Sequence, residues 1–288
     1  MNNSFSLPYK DFNVDKFIRD ALKEDIQSGD YTTLASIPEK AKGKSQLIIK
    51  ENGILAGISL AEKIFHSYDK KLRIKIFLKD GTNARKGNIA FIVEGNARSI
   101  LSTERLVLNC IQRMSGIASQ TNKLVNLCKP SKVKILDTRK TTPLIRGLEK
   151  WAVRIGGGYN HRYGLYDMIL IKNNHIDFAG SINNAIESAN EYLKKKKLNL
   201  QIEIEARNLK EVQEIISIGN IDRILLDNFS IPEIKKAVLL INRKFETEIS
   251  GGINEKNILE YSKTGVDVIS LGSLTHSAKS FDLSLEIL

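Results

Sequence analysis

From residue 133 onward the chain alternates between short apolar runs and amphipathic stretches, and this rhythm constrains the fold more than any other feature. Apolar runs fall at 133–136, 168–171, 201–204, 224–226, 248–250 and 266–271, with helical patterns at 179–193, 209–218, 232–241 and 258–263 between most of them. Strands that alternate with helices pair in parallel, because each return to the same end of a sheet needs a crossover. Roughly six such units point to a complete or partial barrel. A flat dinucleotide-binding sheet is the competing arrangement, but no Gly-x-Gly-x-x-Gly turn follows the first strand. Pro232 suits a first helical position, where a missing N–H costs nothing.

Before about residue 115 the pattern is different. Strand-like runs at 46–50, 74–78 and 90–94 are separated by turns at Gly53, Gly81 and Gly87, with helical patterns at 14–24 and 58–68. That reads as a small α+β domain with a mostly antiparallel sheet. A longer helix over 99–127 carries Leu101, Leu108, Ile111, Met114 and Leu124 on its apolar side, and Gly116 is expected to break or bend it.

Composition narrows the classes of function. There is no run of 18 apolar residues to span a membrane, and residues 1–6 lack the basic start and apolar stretch of a secretory leader. Cys110 and Cys128 fall on apolar-periodic stretches, so a reduced, cytoplasmic setting is the simplest expectation. The net charge is +11, yet only 7% of residues are aromatic, and no basic helix or stacking platform is present. Nucleic acid is therefore not the expected partner. The lysines at 194–197 sit between a helix and a strand and read as solvated surface.

In parallel barrels the active site lies at the C-terminal ends of the strands. The residues just beyond the six runs are Asp137-Thr-Arg-Lys140, Lys172-Asn-Asn-His175, Glu205 (with Glu203 inside its run), Asp227-Asn228, Ser250-Gly-Gly252 and Gly272-Ser273. Singly, each has an ordinary explanation: a solvated turn, the wet face of an edge strand, a helix cap. His175 and His276 taken alone read as structural. Six polar or glycine-bearing strand ends in register read as one rim. Glu203 and Glu205 share a strand face, and if that face points inward they require cationic partners or a metal.

Two glycine loops follow the last two strands, where barrels hold phosphate and where backbone N–H groups can approach an anion closely. The stretch 151–175 adds Arg154, three consecutive glycines at 156–158, Asn160, His161 and Arg162. Arginine forks suit carboxylates, and lysines act as point charges. A pocket with both suits one ligand bearing carboxylates and another bearing phosphates.

At these residues the sequence resembles the quinolinate phosphoribosyltransferases over nearly its whole length. The resemblance is carried by Ile-Leu-Asp-Thr-Arg-Lys-Thr-Thr-Pro at 135–143, Gly-Gly-Gly-Tyr-Asn-His-Arg at 156–162 and Leu-Ile-Lys-Asn-Asn-His at 170–175. Glu24-Asp25, Gly29-Asp30, Glu104-Arg105, Glu203-Ile-Glu205, Leu226-Asp-Asn228, Ser250-Gly-Gly252 and Leu274-Thr-His276-Ser277 add to it. It implies an α/β protein with an N-terminal α/β (α+β) sandwich domain at 1–115 and a partial (β/α) barrel domain at 116–275. A C-terminal segment at 276–288, expected to be helical, would return to the first domain.

The activity implied is transfer of phosphoribose from phosphoribosyl pyrophosphate to quinolinate with loss of carbon dioxide, assisted by Mg2+. By resemblance, Arg105, Arg139, His161, Arg162 and Lys172 hold the dicarboxylate, and Lys140 and Lys172 lie near the pyrophosphate. Glu205 and Asp227 face the ribose and the metal, and Lys140, Lys172, Glu205 and Asp227 form the catalytic set. Thr138, Ser250, Gly251, Gly252, Leu271, Gly272, Ser273 and His276 complete the substrate-binding set. A homodimer is implied, with Arg105 donated across its interface.

The chain departs from the family pattern at Leu144, where glycine is usual, at Ile155, where cysteine is common, at Asn173, where an acid is usual, and at Lys279, where proline is frequent. Alternatives are a related phosphoribosyltransferase of molybdenum metabolism, one acting on nicotinate, or a non-catalytic phosphate-ligand sensor. The full basic set favours a dicarboxylate, and the presence of both Glu205 and Asp227 disfavours the sensor.

Overall fold

The computed structural model describes residues 12–288, so the expectation about residues 1–6 falls outside it. Two compact units divide the chain. One holds the described residues of Met1–Asn122 together with Thr141–Gly157 and Leu274–Leu288, and the other holds Lys123–Lys140 and Gly158–Ser273.

In the first unit β1 (Lys42–Ile49), β3 (Arg73–Ile76), β5 (Ile89–Asn96) and β12 (Leu283–Ile287) form an antiparallel sheet in the order β12-β1-β5-β3. A short ribbon pairs β2 (Gly53–Ile54) with β4 (Asn83–Ala84). Along β1, Ser45, Leu47 and Ile49 alternate inward, as a half-covered strand requires. Helix Ile58–Tyr68 buries Ile58, Leu60, Ala61, Ile64 and Phe65. Phe65 meets Phe91 edge-on with ring centroids 5.9 Å apart, and burying one such ring contributes roughly 2–3 kcal/mol. The helix starts under Asp80, which accepts the N–H groups of Ile58 (2.8 Å) and Ser59 (3.2 Å) where the helix dipole favours negative charge.

Three sequence expectations change here. The long helix runs unbroken over Ala97–Leu127, so Gly116 does not break it. A Cβ at Gly116 would stand 1.9 Å from the carbonyl oxygen of Lys279; glycine is there to let another backbone segment come close. The segment 276–288 carries strand β12 in place of the expected helix, paired antiparallel with β1. The break expected near residue 115 is also more complex, because Thr141–Gly157 groups with the first unit. Its helix, Arg146–Ile155, carries the fully buried Glu149, which accepts from Arg113 of the long helix at 2.9 and 2.7 Å. Arg113 also donates to the carbonyls of Thr275 and Ala278, so one guanidinium ties three chain segments.

The second unit is built on β6 (Lys134–Leu136), β7 (Ile169–Ile171), β8 (Ile202–Ala206), β9 (Arg223–Asp227), β10 (Glu246–Ser250) and β11 (Val268–Ser270), all parallel in the order β6-β11-β10-β9-β8-β7. Most positions of these strands are buried, as in a parallel sheet covered on both faces, but β8 (Ile-Glu-Ile-Glu-Ala) and β10 (Glu-Thr-Glu-Ile-Ser) place acids at alternate positions. Consecutive strands β6 and β7 lie on opposite edges, so the (β/α) arrangement stays open between them. Helices return the chain under clear local signals. Ser181 caps Ile182–Lys196, Asn208 caps Leu209–Ile218, and Ser230 with Glu233 forms a capping box on Ile231–Ile241, with Pro232 in its first turn. Because all six strands run the same way, their C-terminal ends share one rim.

Candidate active site

At that rim lies a cavity of about 540 Å³. It is lined by Thr138, Arg139 and Lys140 after β6, His161 and Arg162 in the loop before β7, and Lys172 after β7. Glu205 of β8, Asp227 of β9, Ser250 and Gly251 at the end of β10 and Gly272 after β11 complete the expected part of its wall. Asn228 and Leu170, part of the motifs read in the sequence, also line it, as do Leu225, Glu248 and Ser270, which were given no role there. Gly252, Leu271 and Ser273 are chain neighbours of the wall. Arg105 and His276 belong to the first unit, where both are exposed.

The wall is held by buried polar contacts. Asp137 is fully buried at the end of β6, where it accepts from the side chain of Asn160 and from the backbone N–H of His161 at 2.9 Å. This fixes the turn that carries His161 and Arg162. Burial and the nearby charge of Arg139 hold the Arg162 guanidinium below its ordinary value. Two arginines crowd the same space, an arrangement that an anion between them would relieve. Arg162 Nη1 donates to the carbonyl of Met168 at 3.1 Å, which anchors the side chain.

Glu203 and Glu205 point from one face of β8 and find different cations, as the sequence required. Glu205 lies 3.4 Å from Lys172 Nζ and accepts the backbone N–H of Asn173 at 3.0 Å. Asp227 accepts from Ser250 Oγ at 3.2 Å and from Asn228 Nδ2 at 3.1 Å. Gly251 has φ +96°, and a Cβ there would stand 2.0 Å from Asn228 Oδ1. Only glycine lets this loop close over the strand ends.

From the cavity wall, where His161 and Glu248 line it, a buried charge cluster runs into the second unit. His161 Nε2 lies 3.1 Å from Glu203 and 3.4 Å from Glu248. Arg223 reaches Glu248 at 2.7 Å, Glu246 at 2.6 Å and Glu203 at 3.6 Å. Burial works against charge on His161, but the two carboxylates outweigh it and push its pKa up to about 9. Burial and the neighbouring Glu248 raise the Glu203 carboxyl, although His161 and Arg223 oppose them. Burial also opposes charge on Glu248, but His161 and Arg223 hold that carboxyl below its usual range. The His161 contact lacks hydrogen-bond alignment and the Arg223 contact lies beyond hydrogen-bond distance, so both Glu203 oxygens lack a hydrogen-bond partner among the described residues.

Two departures from the family pattern acquire physical meaning. Leu144 has φ +67° and is 92% exposed; the left-handed backbone explains why glycine suits this position. Asn173 turns its backbone N–H to Glu205, while its buried side-chain oxygen has no hydrogen-bond partner among the described residues.

Comparison with known proteins is consistent over nearly the whole chain. Residues 30–115 match the family model described as quinolinate phosphoribosyl transferase, N-terminal domain, and residues 117–286 match the corresponding C-terminal domain model. The chain is 43% identical over 291 residues to the chloroplastic carboxylating nicotinate-nucleotide pyrophosphorylase of Arabidopsis thaliana, covering 96% of this chain and 83% of that protein. It is 44% identical over 287 residues to a probable carboxylating nicotinate-nucleotide pyrophosphorylase of Methanocaldococcus jannaschii, covering 96% and 98%. Among solved structures, nicotinate-nucleotide pyrophosphorylase from Ehrlichia chaffeensis superposes with a TM-score of 0.91 at 41% identity, covering 96% of this chain and 100% of that one.

Proposed function

The chain belongs to the quinolinate phosphoribosyltransferase family, and from that membership we propose how its rim carries out the family reaction. The protein is a pentosyltransferase that joins quinolinate to phosphoribosyl pyrophosphate, giving nicotinate mononucleotide, pyrophosphate and carbon dioxide in NAD biosynthesis. The observation that carries this reading is the convergence of Arg139, Lys140, Arg162 and Lys172 on one cavity that also holds Glu205 and Asp227.

Each group has work suited to its chemistry. Arg139 and Arg162 offer planar forks to the two carboxylates of the pyridine acid, with Lys172 as a point charge beside them. Lys140 and Lys172 face the pyrophosphate. The loops at 250–252 and 272–273 offer backbone N–H groups to the ribose phosphate. The anomeric carbon loses its bond to pyrophosphate oxygen while the ring nitrogen forms a bond to it. Positive charge develops on the sugar, where Glu205 and Asp227 stabilise it. The product ring nitrogen is cationic and accepts the electron pair left when the adjacent carboxylate departs as carbon dioxide. A proton then fills the ring carbon.

Mg2+ is the expected companion of the pyrophosphate. Glu205 and Asp227 are hard oxygen donors on adjacent strands, which fits that ion. Bound there with substrate phosphates, it would neutralise charge on the leaving group. The protein would act as a homodimer, with Arg105, exposed on the long helix, completing the partner's cavity. Cys110 and Cys128 are both free and buried, which fits a reducing compartment such as the cytoplasm. No helix among the described residues is long and apolar enough to cross a membrane.

The test is an assay of purified protein with Mg2+, phosphoribosyl pyrophosphate and either quinolinate or nicotinate. Turnover with quinolinate is expected. Turnover with nicotinate alone would overturn the assignment.

A further inference from the structure

The buried cluster running in from the cavity wall has no part in the chemistry described above, yet it touches a residue that has one. His161 lines the cavity, and both of its ring nitrogens are engaged by the protein. Nδ1 accepts the backbone N–H of Arg162 at 2.8 Å, and Nε2 faces Glu203 and Glu248. Its own backbone N–H is held by Asp137. The imidazole is therefore a strut. One edge rests on two carboxylates from β8 and β10, and the other supports the amide of the residue that carries a cavity-lining guanidinium.

A strut is only as fixed as its footing, and here the footing is built. Glu203 and Glu248 are 0% and 1% exposed. Two buried carboxylates side by side repel each other and need cations to be stable. Arg223, entering from β9 between them, supplies one cation, and Glu246 accepts from Nε and Nη2 along another edge of its guanidinium. The three donor groups of His161, Glu203 and Glu248 lie within 4.8 Å of one another, but Arg223 already provides the positive charge that a metal ion would bring.

We propose that Glu203, Glu248 and Arg223 are positioning residues for this enzyme: acting through His161, they hold the turn at 160–162 so that Arg162 stays aimed at the acid substrate. The proposal rests on the activity given above and assigns these residues no contact with the reacting atoms. Loss of the footing lets the imidazole tilt, releases the Arg162 amide and loosens one carboxylate grip, while the phosphate loops on β10 and β11 stay as they are. A general loss of structure would affect both substrates alike; loss of the strut affects one.

The experiment uses the full chain carrying Glu248→Gln or Glu203→Gln, with steady-state kinetics for each substrate at saturation of the other. The expected result is a KM for quinolinate raised about tenfold or more, a smaller fall in kcat, and a KM for phosphoribosyl pyrophosphate changed by less than about twofold. Wild-type turnover of quinolinate is the control that separates failure of this inference from failure of the assigned activity. A second measurement needs no folded cluster variant: the His161 Nε2 proton of the wild-type protein, identified by its absence in His161→Gln, should be protected from solvent exchange in the proton NMR spectrum. An Nε2 proton exchanging as fast as that of an exposed imidazole would overturn the proposal. So would an unchanged quinolinate KM, or equal rises for both substrates.

Discussion

Replacing His161 by glutamine should remove a pH dependence of stability that the intact protein shows between pH 6.5 and about 9. The imidazole faces Glu203 on β8 and Glu248 on β10, with Arg223 of β9 behind them, and is flanked by Arg162 and by Asp137 at the end of β6. Burial disfavours its charge, the carboxylates favour it, and the carboxylates prevail. A group whose folded-state pKa is raised stabilises the fold fully below its unfolded value of about 6.5, and that stability is lost as pH rises through the folded value. The loss runs at about 1.4 kcal/mol per pH unit and reaches at most roughly 3–4 kcal/mol. It is a ceiling because a second proton on Nδ1 must displace the Arg162 amide. For a chain of this size the slope corresponds to a melting temperature falling by roughly 2 °C per pH unit. Calorimetric melts of the intact and His161→Gln proteins from pH 6 to 9 would check this. Taking the difference cancels the shared buried thiols, of which Cys110 is pushed up to about 12. A difference flat across the whole interval would mean that the imidazole stays neutral, with Nδ1 keeping the Arg162 amide, and that its charge does not stabilise the fold.

Three further outcomes follow from the geometry. Arg113→Met leaves Glu149 buried without its cation and should lower stability by about 3–5 kcal/mol in urea denaturation; a loss under about 1 kcal/mol would show that the pair carries little. Gly251→Ala drives a Cβ against Asn228 from a backbone at φ +96°, so the KM for phosphoribosyl pyrophosphate should rise about tenfold or more while that for quinolinate stays nearly level. Arg105→Ala and Lys172→Ala proteins, each inactive alone, should regain partial activity when mixed under conditions of subunit exchange, and absence of rescue would count against donation of Arg105 across a dimer.

What the sequence made legible follows from where its physical signals are local. Short runs with buried aliphatic residues mark the six strands of the second unit, even where β8 and β10 carry acids, and reading one step past each run finds most of the cavity wall. Paired charges are not local. Arg113 and Glu149 lie 36 residues apart, and Arg223 and Glu248 lie 25 apart; nothing in the flanking residues announces either pair. Glu248 begins a run that reads as an ordinary strand, and only the neighbouring strands reveal its carboxylate as buried. Gly116 was ambiguous because an absent side chain signals either a helix break or a close approach, and the approaching backbone, at Lys279, is far away in sequence. Leu283, Leu285 and Ile287 alternate with period two, which is a strand pattern, but the segment is short and Ile287 stands exposed at its end, so the signal is weak.

One cavity is to couple phosphoribosyl transfer to loss of a carboxylate from a dicarboxylate acid. The most direct measurement labels the quinolinate carboxyl beside the ring nitrogen with carbon-13 and follows labelled carbon dioxide and pyrophosphate in the same reaction. Release in a one-to-one ratio, dependent on both substrates, is expected. Pyrophosphate released without labelled carbon dioxide, or label released without phosphoribosyl pyrophosphate, would contradict it.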